Sequence, residues 1–118
     1  MSKGYLTTHV LDTFNGKPGS GIKGSIYTFE ETNMKKIRDF TLNNDGRCDT
    51  PLLENDQFNI GKYEIKFFCG EYFRKFTKLN EIPFLDDVVI RFGISDKNQH
   101  YHVPLLISPW SYTTYRGS

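Results

Sequence analysis

Between residues 100 and 108 every second side chain is apolar: Tyr101, Val103, Leu105 and Ile107. Successive side chains of a β-strand point to opposite faces, so this row must line a buried face, whereas a helix would scatter it around its circumference. The alternate row, His100, His102, Pro104, Leu106 and Ser108, is neither a solvated face nor a core. Two imidazoles, a proline, a leucine and a hydroxyl suit a groove or a subunit contact. Pro104 has no N–H to give to a neighbouring strand, so the strand is predicted to be an edge, or bulged, at that point.

The same period organises the rest of the chain. Residues 5–13 split into Thr7, His9 and Leu11 on one side and Leu6, Thr8 and Val10 on the other, and end at the turn-forming cluster 15–19. Residues 22–30 and 36–42 read as a hairpin across residues 31–35. The tight turn Asn43-Asn44-Asp45-Gly46 then delivers Arg47. In residues 62–68, Tyr63, Ile65 and Phe67 alternate with Lys62, Glu64 and Lys66, the pattern of a half-buried strand. Residues 88–94 and 100–107 are strands joined by a polar loop, and residues 112–116 form the last. Only residues 71–79 space their apolar members, Tyr72, Phe73, Phe76 and Leu79, for a helix, with Pro83 limiting its extension. Seven or eight strands with one short helix predict an all-β, two-sheet sandwich. At 118 residues, without a linker or repeat, the chain is predicted to be a single domain over 1–118.

Composition narrows the function. Aromatics make up 15% of the chain against a hydrophobic fraction of 37%, so large rings must supply much of the core. A net charge of +1 provides no field to draw in nucleic acid or an anionic membrane. No apolar run approaches the ~20 residues that span a bilayer. The first residues carry no secretory h-region and the last three are not the Ser-Lys-Leu address, so a cytoplasmic location is expected, with peroxisome and periplasm left open. Cys48 and Cys69 are expected to be free thiols, Cys69 in the core.

A candidate site grows out of the mixed row. His100 and His102 share one face, Arg47 follows a tight turn, and the chain ends Tyr115-Arg116-Gly117-Ser118 directly after a patterned hairpin. One strand histidine is ordinarily just a polar surface residue; this coincidence makes a polar site a candidate. Arg74-Lys75 and Lys35-Lys36 read as solvated charges, Trp110 and Tyr112 as packing in the final hairpin, and Ser108 as turn chemistry rather than a nucleophile.

The segments Leu6-Thr-Thr-His-Val-Leu-Asp-Thr13 and Gly16-Lys-Pro18, then Asp45-Gly-Arg47, His100-Tyr-His-Val-Pro-Leu-Leu106 and Tyr115-Arg-Gly-Ser118, resemble the 5-hydroxyisourate hydrolase branch of the transthyretin-like family. The order matches and the resemblance spans nearly the whole chain. It implies a transthyretin-like sandwich of about eight strands with one short helix, assembled as a homotetramer (a dimer of dimers) around a central channel. The rows containing Thr7, His9 and Leu11 and containing His102, Pro104, Leu106 and Ser108 would face that channel, with sites drawn from more than one subunit. It implies no cofactor and no metal. It also implies His9, Arg47, His102 and Ser118 as catalytic residues, and His9, Arg47, Tyr115, Arg116, Gly117 and His100 as substrate-binding residues, His100 nearer the channel mouth. The implied reaction is hydrolysis of 5-hydroxyisourate to 2-oxo-4-hydroxy-4-carboxy-5-ureidoimidazoline in urate degradation.

Opening a cyclic amide needs an activated water, a donor for the developing oxyanion and recognition of a flat, urea-like edge. An imidazole titrating near neutrality can take the proton from water. Arg47 and neighbouring imidazoles are expected to disfavour protonation of His9 and His102. The Arg47 fork suits substrate oxygens and negative charge, and the Tyr115 ring can stack on a heterocycle. Gly117 is expected to let the backbone turn so that Ser118 reaches the site, with Arg116 anchoring the tail or aiding binding. Two other classes fit part of the pattern. Three histidines, two of them His-x-His, are compatible with a zinc hydrolase. A sandwich can also be a binding module, a carrier or an immunoglobulin-like domain, although a hydrophobic-ligand carrier has no need of the histidine row or the terminal tetrapeptide.

Overall fold

The computed structural model describes residues 3–117. Strands form where apolar and polar side chains alternate: β1 (Tyr5–Asp12), β2 (Lys17–Pro18), β3 (Lys23–Glu30), β4 (Asn33–Thr41), β5 (Leu53–Glu54), β6 (Gly61–Phe68), β7 (Asp87–Ile94), β8 (His100–Ile107) and β9 (Tyr112–Thr114). A 3-10 turn (Asn55–Gln57) and one helix, α1 (Cys69–Phe73), complete the chain. One sheet runs β2-β1-β8-β9 with β5 also paired to β1; the other runs β4-β3-β6-β7. The expected two-sheet sandwich is therefore present, with β2 and β5 as two-residue additions to the longer strands. No helix among the described residues is long and apolar enough to cross a membrane.

The 101–107 row assigned to the core is inside, and the Leu6 and Val10 side of the first strand joins it. Leu6, Val10, Leu105 and Ile107 of the first sheet are fully buried, as are Ile26, Ile65 and Phe67 of the second. Each such side chain contributes about 1.5–3 kcal/mol by leaving water. Cys69 belongs to this core as a free thiol, and burial pushes its pKa up to about 12. Cys48 is also free and packs against the core edge.

The pairing that positions the site is the parallel ladder between β1 and β8, in register from Tyr5 opposite His100 to Asp12 opposite Ile107. A parallel pair requires a crossover connection and leaves no turn signal in the sequence. Pro104 lies inside this sheet, not at an edge strand, and no bulge accompanies it. β8 pairs Leu105 with Thr114 of β9, and the same register resumes where His102 faces Gly117. The missing N–H appears as a gap in that ladder, where the Thr114 hydroxyl donates to the Pro104 carbonyl instead at 2.7 Å.

Several local expectations are corrected. The β3–β4 hairpin turns at Glu31 and Thr32, with Glu31 at φ 55°, so Lys35 and Lys36 lie within β4; a bulge between Ile26 and Tyr27 absorbs Ile37. The helix starts at Cys69 and stops at Phe73. Gly70 docks its N–H on the Asp86 carbonyl at 2.8 Å, Tyr72 and Phe73 fill the core, and Phe76, 43% exposed, packs on Tyr72 at the core's edge beneath Lys17. Arg74 is more than a solvated charge, since it donates to the carbonyls of Asn80 and Glu81. Glu64 is buried rather than solvent-facing, because Arg91, opposite it on β7, folds over it at 3.0 Å while stacking on Phe29. Trp110 touches Phe14 edge-on yet remains 57% exposed, and Tyr112 is exposed as well. Ser108 does serve the turn, accepting from the Trp110 and Ser111 amides.

The end of β1 is fixed by a buried carboxylate. Asp12 Oδ1 accepts from the Phe14 and Asn15 amides, and Oδ2 accepts from Asn15 Nδ2 and, across the core, from the Tyr72 hydroxyl at 2.7 Å. Tyr72→Phe removes one donor and leaves the carboxylate under-satisfied. It is expected to cost about 1–3 kcal/mol, read as a lower urea midpoint with an unchanged slope.

Candidate active site

Because β1 and β8 run in register, Tyr5 lies beside His100, Thr7 beside His102 and His9 beside Pro104, all on the outer face of the sheet. Thr7 Oγ1 sits 2.6 Å from His100 Nε2 and 2.7 Å from His102 Nδ1. The Tyr5 ring stacks on His100 with centroids 4.1 Å apart and planes at 11°. Two imidazoles separated from β1 by more than ninety residues of chain thus become one cluster.

Arg47 arrives from the other side. Asn43 Oδ1 accepts from the Asp45 and Arg47 amides at 2.9 and 3.1 Å, closing the turn. Gly46 stands at φ +74°, and its carbonyl accepts from Val10 at 2.9 Å. A Cβ there would meet the Val10 carbonyl oxygen at 2.5 Å, so only glycine permits both the turn and the approach. The turn docks on β1 between the stretches paired with β5 and β2, where Arg47 bridges to His9. Among the described residues none accepts a hydrogen bond from the Arg47 guanidinium, and Arg47 is exposed.

The C-terminal segment closes the third side. Gly117 N–H donates to the His102 carbonyl at 2.7 Å. A Cβ on Gly117 would lie 2.7 Å from His102 Cδ2. Its φ is not in the left-handed region, so the glycine is required for close approach to the imidazole and not, as expected, for turning the chain. Tyr115, two residues earlier, is 60% exposed and lines a separate pocket with Arg116, His102 and the β7 residues Ile90 and Phe92. Arg116 points the other way: its guanidinium stacks on Tyr101 at 4.5 Å and donates to Gln99 at 2.8 Å. It anchors the tail to the loop before β8, and to an amide rather than a carboxylate. Ser118, named above as catalytic, lies outside the described residues.

The groove between these groups, lined by Tyr5, Thr7, Arg47, Cys48, His100 and His102 among others, holds about 370 Å³. All three imidazoles are pushed below the ordinary histidine value. For His102 the causes are burial first, then the charge of Arg47, then His100 and His9. For His9 they are burial and then Arg47, opposed by Asp45; for His100, burial and then Arg116. The rings are therefore bases held neutral at pH 7, as expected for His9 and His102, although burial outweighs Arg47. Among the described residues no group of three His, Cys, Asp or Glu side chains is placed to hold a metal ion.

His9, Arg47, His100, His102 and Gly117 are thus brought together, whereas Tyr115 lies in the neighbouring pocket beside β7 and Arg116 reaches only the rim. Sequence reasoning placed Thr7 on the correct face but gave it no role, and it assigned nothing to Tyr5. Both roles arise from lateral partners on β8, which only the strand register reveals.

The HIUase/Transthyretin family model matches residues 6–117. The 5-hydroxyisourate hydrolase of Pseudomonas aeruginosa is 52% identical over 98% of this chain and 92% of its own length. Among solved structures, (S)-allantoin synthase superposes with a TM-score of 0.92 at 45% identity over 99% of this chain, which spans 44% of that longer protein. Sea bream transthyretin in complex with thyroxine superposes at 0.85 over 95% of this chain and 93% of its own, and at 24% identity it shows the shared fold alone.

In histidine titrations followed by NMR, all three imidazoles are expected to have midpoints below about 6.5. Arg47→Ala should raise those of His9 and His102 and leave His100 in place, while Arg116→Ala should raise His100 alone. Lowered folded-state values mean that the unfolded chain takes up these protons first. Their effect on stability is nil above pH about 6.5 and becomes a progressive loss as pH falls from there through the folded values. A His102 midpoint at or above the free-histidine value would contradict this arrangement.

Proposed function

The chain belongs to the HIUase/Transthyretin family, and on that footing we propose that it hydrolyses 5-hydroxyisourate in purine catabolism. The observation that carries the reading is the convergence of His100, His102 and the exposed Arg47 on one groove, with His9 paired to Arg47 on the adjoining strand and Gly117 against the His102 ring. A near match in sequence to a protein of that name supports it.

In this reading water attacks a carbonyl of the cyclic substrate. His102, whose Nδ1 is engaged by Thr7, has Nε2 left to receive the water proton, and His9 beside Arg47 is the second base in reach of the groove. Arg47 binds substrate oxygens and meets the charge that builds on the carbonyl oxygen as the tetrahedral centre forms. Partial burial of the imidazoles disfavours their charged form and keeps the rings unprotonated. Tyr115 would stack on the flat ring, and Ser118 would bring its hydroxyl and carboxylate to the same place. His102 then returns its proton to the departing ring nitrogen, and the product is 2-oxo-4-hydroxy-4-carboxy-5-ureidoimidazoline.

The reaction so described needs no metal. The reading includes a homotetramer. Leu11, 40% exposed and next to the histidine row, leaves an apolar strip that a second copy would cover. The carrier alternative has less support, since an apolar ligand has no use for an exposed guanidinium beside a row of half-buried imidazoles.

Purified protein is expected to accelerate the ultraviolet decay of freshly made 5-hydroxyisourate, with undiminished rate after chelation. His102→Ala and Arg47→Ala should each lower kcat/KM by about a hundredfold or more. Gly117→Ala should lower it at least about tenfold, by displacing the His102 ring, while leaving thermal stability nearly unchanged. Full activity in His102→Ala would end the assignment.

A further inference from the structure

We propose that Thr7 is a positioning residue that joins His102 to His100 in a proton relay, so that His100 holds the proton taken from water until the leaving nitrogen needs it. The inference rests on the hydrolase reading and assigns within it two groups that the chemistry above leaves idle.

A threonine hydroxyl has one hydrogen and two lone pairs. Thr7 Oγ1 is within hydrogen-bond distance of two ring nitrogens, His100 Nε2 at 2.6 Å and His102 Nδ1 at 2.7 Å. One hydrogen cannot serve both. Whichever ring accepts it, the other ring must present an N–H to the oxygen. The two tautomers are therefore set together. If His102 carries its proton on Nδ1, Thr7 donates to His100 and His102 Nε2 has a bare lone pair, the form a base requires. If His100 carries a proton on Nε2, Thr7 donates to His102 Nδ1, and His102 carries its own proton on Nε2, the form an acid requires.

Catalysis would alternate between these forms. Water gives a proton to His102 Nε2 while its oxygen bonds to the substrate carbonyl carbon. The Nδ1 proton of His102 passes to Thr7 Oγ1, whose own proton passes to His100 Nε2. His102 is then neutral and protonated on Nε2, Thr7 is a hydroxyl again, and the positive charge is on His100. As the ring C–N bond breaks, His102 Nε2 protonates the leaving nitrogen, Nδ1 recovers a proton from Thr7, and Thr7 recovers one from His100. Over the cycle the protein gains and loses no proton.

The surroundings favour sending the charge outward. A cation on His102 faces Arg47, His9 and His100. On His100 it faces Arg116 and lies against the Tyr5 ring, stacked at 4.1 Å. It thereby leaves the guanidinium that the oxyanion needs, and an aromatic face helps hold it. Gly117 against His102 Cδ2 leaves the imidazole little room to swing off the threonine.

Thr7→Val matches the shape and deletes the hydroxyl; Thr7→Ser keeps it. With 5-hydroxyisourate as substrate, Thr7→Val is expected to lose about tenfold or more in kcat with KM within about twofold, and Thr7→Ser to stay within about threefold of wild type. His100→Phe, which preserves the stack on Tyr5, should fall as far as Thr7→Val, and the double variant no further. In mixtures of H₂O and D₂O, kcat of the wild type and of Thr7→Ser should curve with deuterium fraction, as several protons move together, while Thr7→Val should give a straight line. Wild-type kcat in Thr7→Val, or a straight line in the wild type, overturns the relay. Wild-type protein that leaves the substrate's decay unaccelerated overturns the hydrolase reading instead.

Discussion

The parallel ladder between β1 and β8 is the constraint from which everything else follows. It joins the first strand to the next-to-last, so the chain's two ends meet in the middle of one sheet. Its register decides that Thr7, and not Leu6 or Thr8, faces His102; a shift of one residue would turn every functional side chain into the core. The apolar row behind it holds that register, because Leu6, Val10, Leu105 and Ile107 can be buried only in this phase. Core packing and site geometry are thus two readings of one alignment.

On that frame the electrostatics are consistent. A partly buried imidazole resists protonation, and an adjacent guanidinium makes it resist more. Arg47 is brought against β1 by a turn that depends on Gly46, and the same docking that places its charge near His9 and His102 leaves its donors facing the groove. Arg116 meanwhile is held on Tyr101 and Gln99, away from the substrate face, where it fixes the tail and biases only His100. Two arginines of equal charge therefore do different work because of the element that carries each.

Much of this was legible before any coordinates. Alternation identified both apolar rows and the odd histidine face, and turn chemistry identified the delivery of Arg47. What failed did so for want of lateral information. Glu64 reads as solvent-facing until Arg91 is known to lie opposite it, and residues 71–79 read as one helix although the helix spans Cys69–Phe73 and Phe76 packs on Tyr72 from beyond its end. Pro104 suggested an edge strand, yet the sheet absorbs it with a gap and a threonine hydroxyl. Thr7 is the clearest case. Its identity says nothing, since threonine is common in strands, and its role exists only through two nitrogens on a strand more than ninety residues away.

Placing a site on the face of a sheet has a further consequence. Alternate residues of a strand belong to different environments, so the inward row can stay constant while the outward row changes. Replacing Thr7, His9 or His102 removes chemistry without opening a cavity, because none of the three packs in the core. The same sandwich can then serve as an enzyme or as a carrier by exchanging a few outward side chains, which is why a fold shared with a transthyretin decides so little about function. What decides it is the outward row and the segment that closes on it. Here that segment presses Gly117 against an imidazole, a contact that a surface built only to cover an apolar ligand would have no reason to keep.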